Sequence, residues 1–258
     1  MIFTLSKAEM GRKLDQYFNA YRLHEFETVQ AYYRRKKVLE IIAGLAPKSI
    51  LEVGSGNHPL FTDIPTFERF CVVEPADGFY REAVKHREQL PQATQKKITL
   101  HQADFESYSR HAEAAFDLVV IGGLLHEVEF PEKILAAAAR ISSASTIIHI
   151  NVPNAYSFHR MLAVSAGLIP SVFTVSEAQQ QLQQHHTFDM EQLSSLVIKN
   201  GFTVIDRGSF FLKPFTHQQM QQMLTHNIIN QQILDGLYAL GDQFPLHGSE
   251  IFMNIKLS

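Results

Sequence analysis

From residue 48 onward the chain alternates short apolar bursts with longer amphipathic stretches. The bursts at 49–53, 70–74, 98–102 and 116–121 stop at glycine, proline or an acid, and further bursts follow at 146–152, 202–212 and 251–257. Runs that are apolar at nearly every position fit strands buried on both faces, so this pattern predicts a mostly parallel sheet of seven strands with helices on either side. Helical spacing intervenes at 78–90, 131–141 and 190–200. Before residue 48 the texture differs. Met10, Leu14, Tyr17, Phe18 and Tyr21 mark one helical face, and Val29, Tyr32, Tyr33, Val38, Ile41, Ile42 and Leu45 mark a second over 27–45. The basic tetrad Arg34-Arg35-Lys36-Lys37 within it reads as a solvated helix surface. The chain therefore divides into N-terminal helices, 1–47, covering an α/β domain at 48–258. Two stretches break its rhythm, 153–186 and 213–247, and are expected to form a substrate lid.

Composition narrows the function classes. The chain has 258 residues, 45% of them apolar, enough for one large domain with a substantial core. With Lys+Arg 23 against Asp+Glu 26, the net charge of −3 gives no electrostatic footprint for nucleic acid or an anionic membrane. The N-terminus lacks the pattern of a secretory signal, and no apolar run is long enough to span a bilayer, so a soluble, cytoplasmic protein is expected. The single cysteine, Cys71, sits inside an apolar burst and reads as a packing residue. Oligomeric state is left open.

The informative chemistry lies where the strands end, because ligands of open parallel sheets bind beyond the carboxyl edge. After the first burst comes Glu52-Val53-Gly54-Ser55-Gly56-Asn57-His58-Pro59. Pro59 occupies the position of the third glycine in a dinucleotide fingerprint, and the Glu52 carboxylate would repel a pyrophosphate but attract an ammonium group. Glu74, followed by Pro75, ends the second burst where one acid can accept from both hydroxyls of a ribose. Asp104 and Phe105 offer an acceptor and a ring for a base, and Gly122-Gly123-Leu124-Leu125 permits close backbone approach below a ligand. Singly each has a plain structural role: Glu74 as a helix cap, Asp104 as a turn starter, Glu52 in a pair with a lysine. Their ordered recurrence at four strand tips favours a cationic nucleoside.

The order LEVGSGN, CVVEP, ADF and FDLVVIGGLLHEVEFPEKIL resembles the class I, Rossmann-like S-adenosylmethionine-dependent methyltransferases over residues 48–152. The resemblance implies a three-layer α/β sandwich whose last strand, 251–257, is antiparallel. It also implies S-adenosylmethionine as cofactor, with Glu52, Gly54, Ser55, Gly56 and Asn57 at the methionine end and Glu74 with Pro75 at the ribose. Asp104 with Phe105 would hold the adenine, and Gly122, Gly123 and Leu125 would form the floor. The sequence departs from the usual glycine-rich first motif at Asn57-His58-Pro59.

Methyl transfer to a hydroxyl needs a base, whereas a neutral amine can attack first and lose its proton later. His126, just after the fourth burst, is the first candidate, and His159 and His186 in the first insertion are next. Glu127 and Glu129 beside His126 do not amount to a ligand set, so no metal is expected. Tyr156, Phe158, His159, Arg160, Met161 and Leu162 suggest an amphipathic lid helix, and Phe210, Phe211 and Phe215 an apolar acceptor wall. The favoured acceptor is a small molecule, methylated on oxygen or nitrogen. Two alternatives stay open: a nicotinamide (NAD)-dependent oxidoreductase, and a non-catalytic S-adenosylmethionine-binding partner or regulatory subunit.

Overall fold

A computed structural model describes residues 25–112, 115–176, 179 and 184–258. The helix expected at 10–21 lies outside them. The elements in chain order begin α1 (Glu25–Leu45), β1 (Ser49–Val53), β2 (Arg69–Val73), α2 (Asp77–Glu88), α3 (Gln92–Gln95), β3 (Ile98–His101), α4 (Phe105–Tyr108) and β4 (Leu118–Gly122). They continue α5 (Pro131–Arg140), β5 (Ile147–Pro153), α6 (Phe158–Ser165), α7 (Met190–Lys199), β6 (Phe202–Phe210), α8 (His217–Thr225), α9 (Gln231–Leu240) and β7 (Glu250–Leu257). All seven expected strands are present, in the order β3-β2-β1-β4-β5-β7-β6. Strands β1 to β5 pair in parallel, and β7 runs antiparallel to both β5 and β6.

Successive residues of a strand point to opposite faces, so each apolar burst feeds two cores. Leu51, Val53, Cys71, Val73, Val119 and Ile121 pack on one side with Ile134 and Leu135 of α5 and Leu193 and Val197 of α7. Their immediate neighbours Ile50, Phe70, Val72, Leu118 and Val120 pack on the other, against Val38 and Ile42 of α1. Cys71 is buried in the first of these cores as a free thiol.

The stretch 213–247 is largely helical. Thr216 and Gln219 form a capping box that starts α8, and Asn230 caps α9 by accepting from the Ile233 amide. A third core joins this stretch to α1: Phe26 and Tyr33 pack with Phe210, Phe211, Met220, Leu234 and Tyr238. Phe210 and Phe211 thus fasten the N-terminal helix and do not form the expected acceptor wall. Phe215 packs at the edge of the same cluster. No described helix is long and apolar enough to cross a membrane.

Strand direction decides what meets at the carboxyl edge. Because β7 is antiparallel, its first residue, Glu250, stands beside Pro153 at the end of β5 and beside Phe210 at the end of β6. The residues after β1, β2, β4, β5 and β6 and those before β7 therefore share one edge.

Candidate active site

A cleft of about 1920 Å³ lies along that edge. At one end are the tips of β1, β2 and β4 and the start of α4. Gly54 and Gly56 adopt φ of 78° and 55°, values that L side chains rarely adopt, and the space where a Cβ would stand is open at both. The turn is held by side chains of β1, α1 and the residue after β2. Glu74 accepts from the Ser55 amide at 2.9 Å through one oxygen and from the Ala76 amide at 2.9 Å through the other. Glu52 accepts from the Leu60 amide at 3.0 and 3.2 Å. Arg35 donates to the Pro59 carbonyl at 2.8 Å and to Thr62 Oγ1 at 2.7 Å, and also binds the His58 carbonyl and Asp63. Pro59 thus belongs to a turn anchored by α1, not to a helix that would cradle phosphates.

Both carboxylates are buried and line the cleft. Burial pushes the Glu52 carboxyl up to about 8, against the Leu60 amide and Arg35, and the Glu74 carboxyl up to about 7, against the amides of Ala76, Ser55 and Gly56. Ser55 Oγ is buried without a hydrogen-bond partner. Desolvated acids, an orphaned hydroxyl and open glycines suit a ligand that carries a cation and hydroxyl groups. Asn57, Pro75, Asp104 and Phe105 line the same end. Asp104 also caps α4, accepting from the Ser107 amide at 2.7 Å, so its plain structural role is real and leaves its second oxygen uncommitted there.

After β4, Gly122, Gly123 and Leu124 line the cleft, whereas Leu125 is fully buried in the core. The floor contributed by this turn is Leu124, because the next side chain points inward to the sheet. Gly123 has φ of 67°, and a Cβ there would meet the Arg34 guanidinium at 3.6 Å.

The other end is walled by α1, α6 and the segment after β6, and sequence reasoning missed its central feature. Arg34 binds Glu250 with Nε and Nη2 and reaches Glu27 at 3.2 Å. Asn151 donates to Glu250 at 2.6 Å, and Gln30 donates to the same carboxylate at 2.9 Å. The basic tetrad is thus not a solvated surface: Arg34 and Arg35 face inward, and Lys36 and Lys37 lie over the Tyr238 ring at 4.4 and 5.5 Å. A signal was available in β5, where His149 and Asn151 interrupt an apolar run at alternate positions and find polar partners on β7, Asn254 and Glu250.

The three candidate histidines separate. His126 and His159 line the cleft. His186 does not; its Nε2 donates to the Glu129 carbonyl and its ring stacks on Phe188, because its segment is tied by backbone bonds to the His126 carbonyl. Burial, with Arg34 and His186 adding repulsion, lowers the His126 imidazole to about 3. Burial also holds His159 well below the ordinary range, with Lys213, His217 and Arg160 nearby. Each has an Nδ1 without a partner. Among the described residues no group of acids, histidines and cysteines could hold a metal ion.

A family model described as "Methyltransferase domain" matches residues 26–207. Among solved structures, the chain is similar to the N-methyltransferase NodS from Bradyrhizobium japonicum WM9 in complex with S-adenosyl-L-homocysteine, with TM-score 0.57 and 12% identity over 96% of this chain and 97% of that one. It is similar to the glycopeptide N-methyltransferase MtfA complexed with sinefungin, with TM-score 0.56 and 12% identity over 87% and 86%. It is also similar to the plantazolicin methyltransferase BamL, with TM-score 0.52 and 13% identity over 97% and 98%. At these identities the likeness is one of fold. Among curated proteins no sequence matches.

Proposed function

We propose that this chain, which belongs to the methyltransferase-domain family and is an S-adenosylmethionine-dependent methyltransferase, methylates an oxygen or nitrogen of a small organic acceptor enclosed in its cleft. The observation that carries this reading is the single cleft running from the tips of β1, β2 and β4 to the wall of α1, α6 and the segment after β6. Pockets for one small ligand measure roughly 300–1,000 Å³. At about 1920 Å³ this cleft has room for donor and acceptor together. Membership of the methyltransferase-domain family supports this reading over the nicotinamide-dependent and non-catalytic alternatives.

S-adenosylmethionine is consumed in the reaction and supplies an already activated methyl group. What the chain adds is position and exclusion of water. Glu52 and the turn Gly54-Ser55-Gly56-Asn57 would hold its methionine end, Glu74 with Pro75 the ribose, Asp104 with Phe105 the base, and Gly122 to Leu124 the floor. His126 and His159, kept neutral by burial, would hydrogen-bond the acceptor through their free Nδ1 atoms. Within 1–47, α1 serves as a cover over the domain 48–258, and the described parts of 153–186 and 213–247 serve as walls. Support for nitrogen comes from the N-methyltransferases among the structural neighbours, and support for a small acceptor from the net charge of −3, which provides no track for a phosphate backbone.

The test is isotope-labelled S-adenosylmethionine mixed with the protein and a metabolite extract. Release of S-adenosylhomocysteine, with one metabolite gaining a labelled methyl, is expected. Donor bound without any S-adenosylhomocysteine formed would overturn the reading.

A further inference from the structure

Lys213 stands three residues beyond the end of β6, at the carboxyl edge, and lines the cleft while only 3% exposed. It is the lysine of the described lining, and no described residue hydrogen-bonds its Nζ. A largely buried amine at a cleft wall, held by no hydrogen bond from a described residue, is free to meet a ligand there.

Its surroundings are specific. The Phe26 ring of α1 lies 6.0 Å from Nζ. The carboxylates of Glu27 on α1 and Glu250 on β7 attract it, and Arg160 on α6 repels it. His159 on α6 shares the space, and beyond it His217 of α8 stands 3.8 Å from Glu27. The single charge of Arg34 is shared by Glu250 and Glu27, which leaves the pair short of one cation, and Arg34 stands over Gly123 at the tip of β4. Arg160 is committed to the carbonyls of Val172 and Thr174 and to Gln179.

We propose that Lys213 is the base of the reaction, taking the proton that the acceptor atom releases as it is methylated. This rests on the methyl-transfer reading. The bond from the acceptor oxygen or nitrogen to the methyl carbon forms as the carbon–sulfur bond breaks, its electron pair going to sulfur. The acceptor's proton goes to the lone pair of Nζ. The positive charge that leaves the sulfonium reappears as an ammonium between Glu27 and Glu250, so the cleft keeps its charge and places it near two carboxylates. Burial lowers the Lys213 amine to about 7, with Glu27 and Glu250 opposing, so a neutral amine is available under ordinary conditions. The cleft histidines are too weak for this task, at about 3 for His126 and well below the ordinary range for His159. Glu52 and Glu74 are committed to backbone amides at the donor end.

Two readouts test it. In the first, acetic anhydride competes for amines across a pH series in the whole protein saturated with S-adenosylhomocysteine, and mass spectrometry locates the product. Lys213 is expected to acetylate with a midpoint near neutrality; a midpoint in the ordinary lysine range overturns the proposal. In the second, Lys213→Met and Lys213→Arg are compared with wild type on the metabolite extract. Both are expected to lose turnover by at least about a hundredfold. Their affinity for S-adenosylhomocysteine should stay within about threefold, under 1 kcal/mol. Wild-type turnover should rise with pH to a plateau above the Lys213 midpoint. Recovery of turnover by Lys213→Arg, which keeps the charge but cannot act as a base, overturns the proposal. If wild type binds S-adenosylhomocysteine yet releases none from the labelled donor, the methyl-transfer reading fails, and this one with it.

Discussion

Arg34 grips Glu250 with two nitrogens, Nε 2.9 Å from Oε2 and Nη2 2.7 Å from Oε1, although the two residues lie at opposite ends of the chain. The contact fastens α1 across the carboxyl edge of the sheet. It also sets one wall of the cleft, since the same guanidinium lies over Gly123 and the same carboxylate receives Asn151 and Gln30.

Removing one partner of a buried ion pair leaves the other charge uncompensated. Arg34→Met should therefore destabilise the protein by roughly 3–5 kcal/mol. The double variant Arg34→Met with Glu250→Gln should recover part of the loss. Urea denaturation measures both, and a single-variant loss below about 1 kcal/mol, the range of surface pairs, would contradict a buried clamp.

Glu74 is expected to matter twice, as a ligand acceptor and as the acceptor that holds the Ser55 and Ala76 amides. Hydrogen bonds to charged groups contribute about 1.5–3 kcal/mol, so Glu74→Ala should weaken S-adenosylhomocysteine binding by roughly ten- to a hundredfold. Calorimetry on the folded variant decides it; unchanged affinity removes Glu74 from the site.

The raised carboxyls have a defined pH signature. Their ordinary value is 4.5, while the folded chain keeps the Glu52 proton to about 8 and the Glu74 proton to about 7. Across that window the unfolded chain holds fewer protons, so stability of the ligand-free protein falls as pH rises. A ligand ammonium reverses the preference, and binding should release protons. Titrations in buffers of different ionisation heat will count them, and Glu52→Gln should reduce the count; an identical count for wild type and variant would exclude Glu52.

His149 titrates in the opposite sense. It is fully buried between β4 and β7, and burial lowers it from 6.5 to about 4, against its bond to Asn254. Between those values the unfolded chain takes up the proton and the folded chain does not, so this contribution to stability is lost as pH falls. In His149→Gln the derivative of unfolding free energy with respect to pH should be less positive over that interval, because the rising contribution is removed. A slope equal to wild type would show that His149 is not the group responsible.

Gly248 tests packing alone. A Cβ there would come 2.4 Å from the Phe210 carbonyl oxygen, a backbone atom that cannot swing aside. Gly248→Ala should cost about 3 kcal/mol, the upper end for overpacking, in thermal or urea unfolding. A neutral result would mean that the Phe210 turn can yield.

Much of the fold was legible because parallel strands are apolar on both faces, so the bursts at Ile50-Leu51 and Phe70 to Val73 marked strands and their faces at once. The donor end was legible for a related reason. Glu52, Gly54, Gly56, Glu74 and Asp104 each stand within three residues of a strand tip, and the carboxyl edge gathers strand tips by topology. The acceptor end follows no such local rule. Phe210 and Phe211 look like a ligand wall in one dimension, yet they bury against Phe26 and Tyr33, which are far away in sequence.

By itself, the order of apolar and polar residues determined the seven strands, the glycine turns and the acids beside them, because these depend on neighbours a few positions apart. Only the tertiary structure decided which charges meet. The antiparallel entry of β7 brings Glu250 to Arg34 and to the space before Lys213, and it is burial in that company, absent from the unfolded chain, that gives the lysine, the histidines and the acids their altered chemistry.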